Sequence, residues 1–183
     1  MEFEDDAVLR GWIHHATRRA VEADDLAVDR SLVTVEVSDR AKRRAGACRH
    51  VPLTGGEVGV RPDWTAVPRI HRESTVTVAR RAAEAFDEAA LRDVLRHELL
   101  HVEQVQAFGV TDHGPAFRER ATSLGVPLAC PPFSDPAYRL RCTDCEAVVG
   151  RRYRRCPTVE SPGDYRTGCC GAPLAVEDCR EKV

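Results

Sequence analysis

The spacing of apolar and polar positions along the chain outlines a helix, a strand-rich stretch, two further helices and a cysteine-rich tail. Val8, Leu9, Trp12, Ile13, Ala16, Ala20 and Val21 recur at helical spacing and predict an amphipathic helix from Ala7 to Ala23. Leu32, Val33, Val35 and Val37 are rich in β-branched residues and predict a strand. A basic turn follows. His50 to Leu53 and Glu57 to Val60 are expected to be short strands around Gly55-Gly56, and Arg69 to Ala79 a further strand. Asp87 is an N-cap with Glu88, Ala89 and Ala90 behind it, and Leu91, Val94, Leu95, Leu99 and Val102 give an apolar helical stripe that Gly109 closes. Pro115 suits the first turn of a second helix, packed through Ala116, Phe117, Ala121 and Leu124 and ended by Gly125.

This order predicts an α+β domain with a small antiparallel or mixed sheet beside the Asp87–Gly109 helix. An edge strand of such a sheet can pair with an extended peptide. The strand around Val76, directly before that helix, is the expected edge. Pro127, Pro131, Pro132 and Pro136 mark a semi-rigid connector. The expected organisation is a domain over 1–126, the connector over 127–137, and a small tail domain over 138–183.

Chemistry enters at His97-Glu98-Leu99-Leu100-His101. Residues i and i+4 of a helix share a face, so His97 and His101 can hold one metal ion, with Glu98 beside them. The flat alternative is a helix with two surface histidines, but the motif lies mid-helix, where the spacing has geometric meaning. A catalytic zinc site needs one more protein ligand and an open position. His113 follows the turn after Gly109 and is the first candidate; Glu119 is the alternative. The metzincin spacing is absent, because Gln104 and Ala107 stand where a glycine and a third histidine would be. Glu98 is the expected general base. His14 and His15 are expected on the surface, and so is His71, although it lies near the strand and a position facing the cleft is open to it.

Composition narrows the setting. A chain of 183 residues with formal charge −2 holds one core with a small appendage, and has no overall pull toward nucleic acid. Its basic residues cluster, however, at Arg40 to Arg49 and at Arg151, Arg152, Arg154 and Arg155. The N-terminus does not read as a signal peptide, and no apolar run is long enough to span a membrane. A cytoplasmic protein with eight cysteines is expected to give them to metal before disulfides. Cys142-Thr143-Asp144-Cys145 has the spacing of a zinc knuckle. Cys48 and Cys130 have no partner spacing and are expected to be packed thiols.

His97-Glu98-x-x-His101 followed by His113-Gly114-Pro115-x-Phe117 resembles the SprT-like (Spartan-type) zinc metalloprotease family. The resemblance implies that His113 is the third zinc histidine, that Ser74 to Ala79 is the strand before the metal helix, and that Ala45 to Cys48 is a small-residue turn between earlier strands. It also implies a C-terminal zinc ribbon. Tyr165 to Leu174 resembles the ribbon's second knuckle, with one departure: Thr167 stands where the first cysteine would be. Cys169 and Cys170 then complete a site with Cys142 and Cys145, with Cys156 and Cys179 as rivals for the fourth place.

On these grounds the expectation is a zinc metalloendopeptidase with one catalytic and one structural Zn²⁺, acting on protein or peptide substrates. The resemblance further implies action on proteins bound or crosslinked to DNA, in DNA repair, with DNA, single-stranded above all, as a partner. The arginines at 151, 152, 154 and 155 are the candidate phosphate contacts. The competing readings are a non-catalytic nucleic-acid-binding ribbon on a metal-stabilised scaffold, and a zinc hydrolase of small substrates.

Overall fold

The structure, a computed structural model, describes residues 3–180; Met1, Glu2 and 181–183 lie outside it, and with them the first residues of the acidic N-terminal stretch and Lys182 of the tail. The chain divides at Phe133 and Ser134 into two compact units.

In the first unit, helix α1 (Asp6–Ala23) is capped by Asp5, whose carboxylate accepts from the amides of Ala7 and Val8. Leu9, Ile13 and Ala16 turn one face of it into the core. Strands β1 (Val33–Ser38), β2 (Gly46–His50) and β3 (Ser74–Ala79) form a mixed sheet in the order β1-β3-β2. β1 runs parallel to β3 and β2 antiparallel to it. β3 is the central strand, and its Val76 and Val78 are fully buried. A short helix α2 (Arg80–Ala85) leads into α3 (Glu88–Phe108), the longest element. Asp87 accepts from the Ala90 amide at the start of α3, and Gly109 ends it at φ 75°, a left-handed turn that suits glycine. Leu91, Leu95, Leu99 and Val102 are at most 1% exposed. Burying each contributes on the order of 1.5–3 kcal/mol. Helix α4 (Pro115–Ser123) follows with Pro115 in its first turn.

Several local expectations are corrected. Ala45 to Cys48 is no turn: Gly46–His50 is a strand, paired to β3 from Gly46↔Val78 to His50↔Ser74. The strands expected at His50 to Leu53 and Glu57 to Val60 are absent beyond His50 itself. Pro52 and the turn glycines Gly55 and Gly59, both at positive φ, break the ladder there. Arg69–His71 is a single 3-10 turn, so β3 begins only at Ser74. Because β3 is central, Val76 cannot offer an edge; β2 does.

The second unit is a three-stranded antiparallel sheet of β4 (Tyr138–Cys142), β5 (Val148–Arg152) and β6 (Leu174–Asp178), in the order β5-β4-β6. A one-turn helix, α5 (Pro157–Glu160), lies between β5 and β6. Only a handful of its side chains are buried, among them Tyr138, Leu140, Cys142 and Thr167, so this unit has little apolar core of its own. The fold is therefore mixed α+β with two small sheets, and the tail's cysteine cluster is compatible with a zinc ribbon.

One charged clamp ties the elements of the first unit. Arg96 on α3 donates to Asp24 at the end of α1 through two bonds of 2.6 and 2.9 Å, and to the Leu124 carbonyl after α4 at 2.6 Å. Both side chains are mostly buried. Arg96→Leu is expected to cost about 2–3 kcal/mol, because Asp24 and a carbonyl lose their donors together. Urea unfolding of the two proteins measures it, and an unchanged midpoint would remove the clamp from the account.

Candidate metal centre

The centre is built on α3. His97 and His101 lie one helical turn apart on the face that lines the cleft, and the turn through Thr111 returns His113 to them. His113 Nε2 lies 3.2 Å from His97 Nε2 and 3.1 Å from His101 Nε2. Ligand bonds of ~2.0–2.1 Å put the corners of a zinc tetrahedron about 3.3–3.4 Å apart, so the three nitrogens are spaced as ligands of one ion. Glu119, the alternative, is exposed and stands outside the group.

The outer ring nitrogens explain why these lone pairs converge. His97 Nδ1 faces the Pro127 carbonyl at 3.1 Å, which can only accept, so Nδ1 carries the proton. His101 Nδ1 faces Gln104 Oε1 at 3.2 Å. The Gln104 amide is oriented by Asp112: Gln104 Nε2 donates to Asp112 Oδ1, and the Asp112 amide donates to Gln104 Oε1. Both Nε2 atoms are thus bare acceptors aimed at His113. With His113 Nε2 also unprotonated, as a metal ligand has to be, the three nitrogens would repel one another unless a cation sat between them. Burial favours the neutral rings, holding His97 below its usual range and His101 down at about 4. Phe117 supports the cluster, stacked on His101 at 4.5 Å and edge-on to His97 and His113.

Glu98 points to the other side of the ligands, into the cleft between α3 and β2. It is 8% exposed, and burial raises its carboxyl to about 7, against the pull of the Cys48 backbone amide and of Arg44. The close approach of β2 depends on Gly46. A Cβ there would meet Glu98 Oε1 and Cγ and Val94 Cγ1, each at 2.8 Å.

The cleft has a volume of about 630 Å³. Its floor is α3 from Ala90 to His101, one wall is Arg43 to Cys48, and the other is Pro127 to Pro131. The first stretch of the proline-rich segment is therefore wall of the cleft and part of the first unit, with Phe133 packed on Phe86 at 5.7 Å. Cys48 is half-buried against the core, as expected of a packed thiol, whereas Cys130 is exposed in the cleft wall. His14 and His15 are on the surface, and His71 contacts the Val51 carbonyl instead of the cleft.

Sequence reasoning missed Gln104, Asp112, Gly46 and the Pro127 carbonyl. Gln104 and Asp112 carried a signal, as polar residues at helical spacing from His101 and one residue before His113. The other two depend on chain segments meeting in space.

In the tail, the sulfurs of Cys142, Cys145, Cys169 and Cys170 all lie within 4.8 Å of one another. Cys145 and Cys169 are 3.6 Å apart, close to the roughly 3.8 Å edge of a tetrahedron with ~2.3 Å Zn–S bonds. The first knuckle turns at Glu146, φ 57°, and the second at Gly171, φ 65°. Thr167 is buried with its hydroxyl 3.3 Å from Cys142 Sγ. That hydroxyl, followed by the Cys145 backbone amide, lowers the Cys142 thiol to about 6. Thr167 thus supplies a hydrogen bond where a ligand was expected. Cys156 contacts Thr158 Oγ1 instead, and Cys179 faces the Glu177 carbonyl. Arg151, Arg154 and Arg155 are exposed, while Arg152 is half-buried and bonded to Thr158.

Two donor sets that fit zinc, one of three imidazoles and one of four thiols, mark a metal-binding protein whose first site pairs ligands along one helix. The SprT-like family model matches residues 10–135, well over half of the chain, and the protein belongs to the SprT-like family. Membership supports a metalloprotease-type function in general. Neither a curated relative nor a solved structure matches the chain. Among the described residues no helix is long and apolar enough to cross a membrane.

Two outcomes follow from the donor geometry. Gln104→Ala frees the His101 ring, and zinc affinity at the histidine site is expected to fall about 10- to 100-fold, read by chelator competition. Cys169→Ser should remove one equivalent of tightly bound zinc, and Cys156→Ser none; the reverse would move the fourth ligand to Cys156.

Proposed function

We propose that this protein is a zinc-dependent metalloendopeptidase that cleaves DNA-associated or DNA-crosslinked proteins in DNA repair. The observation that carries the peptidase reading is Glu98, a buried carboxylate beside three convergent imidazoles in a cleft open along a sheet edge. A non-catalytic scaffold has no use for a base in that place.

His97, His101 and His113 would hold the catalytic zinc, and Cys142, Cys145, Cys169 and Cys170 a structural one. When bound at the histidines, zinc supplies the Lewis acidity that polarises a scissile carbonyl and activates water. Glu98 takes the proton of the attacking water and passes it to the leaving amine. Its burial supports that shuttle, since a carboxyl raised toward neutrality both accepts and releases a proton near pH 7. The outer edge of β2 supports a peptide substrate: Ala45 O accepts from Ala79 N at 2.8 Å, so by antiparallel alternation the backbone groups of Gly46 and Cys48 face away from β3, the Cys48 amide toward Glu98. A strand added there would run past Glu98.

The DNA part of the reading rests on family membership and on the exposed Arg151, Arg154 and Arg155 of the tail, which can neutralise phosphates. Arg152 contributes less, because Thr158 holds it. A cytoplasmic setting keeps thiols reduced and suits eight cysteines of which none is in a disulfide.

Casein and histone cleavage, with and without single-stranded DNA, tests the proposal. Glu98→Gln should retain both zinc equivalents and lose about 10²–10⁴-fold in turnover. Zinc removal should abolish cleavage and zinc return restore it. If Glu98→Gln cleaves as well as the parent, the peptidase reading fails. If nothing is cleaved while single-stranded DNA is bound, the nucleic-acid-binding ribbon becomes the better reading.

A further inference from the structure

The charges that line the cleft are unevenly engaged. Asp93 is paired with Arg96 at 3.3 Å, and Asp112 accepts from Gln104 and from the Gly114 amide. Glu98 belongs to the chemistry. Some arginines of this unit are tied down: Arg49 to Glu36, Arg80 to Asp6, Arg96 to Asp24. Arg44 differs. It is exposed, lines the cleft wall, and has neither a hydrogen bond nor an ion pair among the described residues. Arg43 lines the same rim beside it.

The polarity of the edge strand says which part of a substrate Arg44 would meet. Glu98 abuts Gly46, and Arg44 lies two residues earlier. A peptide joining the free edge antiparallel runs opposite to β2, so its chain leaves the reacting centre toward Arg44 in its own N-to-C direction. Two extended residues cover about 7 Å, within reach of an arginine stem. A guanidinium in that place matches the planar, two-oxygen geometry of a carboxylate.

We propose that Arg44 forms an anion subsite on the C-terminal side of the scissile bond, and that the enzyme prefers substrates with an acidic side chain one to three residues beyond the cut. The inference rests on the metalloendopeptidase reading and adds its specificity. The bland alternative is a solvated arginine with no role in recognition, and the experiment separates the two.

The test uses the full zinc-loaded chain and C-terminally amidated peptides with Glu, Gln or Lys at each of the three positions after the cut. Amidation leaves the side chain as the carboxylate; free-acid versions of the Gln peptides show whether a chain terminus is taken instead. The expected result is a preference for Glu over Gln of about two- to fivefold in kcat/KM at one position. Arg44→Glu should reverse it in favour of Lys; its lost pull on Glu98 changes the rates for all three peptides together, so the ratios against the Gln peptide are what is read. Affinities for noncleavable analogues, read by fluorescence anisotropy, should show the same reversal even where no peptide is cut. An unaltered Glu-to-Gln ratio in Arg44→Glu overturns the subsite, and with the Gln peptide still cleaved the peptidase reading stands. A selective gain for free-acid peptides would overturn the side-chain assignment. Loss of single-stranded oligonucleotide binding in Arg44→Glu, with the peptide ratio intact, would overturn it in favour of phosphate.

Discussion

His113 Nε2 stands 3.1–3.2 Å from the Nε2 atoms of His97 and His101, whose lone pairs are both turned toward it, and three metal-ligating nitrogens so close make an arrangement that a protein must hold by force. The remainder of the first unit supplies that force. α3 fixes two of the rings by pitch alone. The Pro127 carbonyl and the Gln104 amide oxygen fix which nitrogen keeps its proton. Phe117 closes the underside, and Gly114 allows Asp112 to approach the turn, since a Cβ on it would lie 2.8 Å from Asp112 Oδ2. A cation converts this mutual repulsion into attraction, so metal affinity and the order of the Asp112–Pro115 turn are linked free energies.

The sheet supports the same centre from the opposite side. β3 is buried as the middle strand, while β2 is short and begins with the small residues Gly46, Ala47 and Cys48. An exposed edge of this kind is an aggregation liability in most folds. Here its flank is occupied by α3 and by the Pro127–Pro131 wall, which leave a channel and not an open face. Gly46 is the point of contact between the two supports. Its missing side chain is the space in which the Glu98 carboxylate sits.

What was legible in the sequence is local. The N-cap Asp87, the apolar stripe and Gly109 set α3 almost to the residue, because each signal acts within one turn of the helix. The donor pair His97 and His101 follows from the same pitch. β2 is not legible in its residues, since Gly46-Ala47-Cys48 has neither alternation nor β-branching and the family resemblance implies a turn there; its strand character comes from pairing with β3 nearly thirty residues later. The valines of the 51–60 stretch suggested strands that Pro52 and two left-handed glycines forbid. In the tail the sequence pointed to Cys169 and Cys170 only through likeness to a knuckle. The buried Thr167 hydroxyl bonds the Cys142 sulfur instead, and the sulfur that joins the cluster from this side is that of Cys169, two residues along.

The Pro127 carbonyl has a wider consequence. A scan for the histidine motif would draw the boundary of the metal-binding unit just after α4, where the helical pattern stops and prolines begin. Drawn there, the boundary severs the acceptor that sets the His97 tautomer, one whole wall of the cleft, and the Phe133 ring that anchors this strip to Phe86. The segment has the composition of a spacer and the place of a cleft wall. The compact unit that holds the three histidines therefore has its limit set by the reach of a hydrogen bond, and it runs through Phe133.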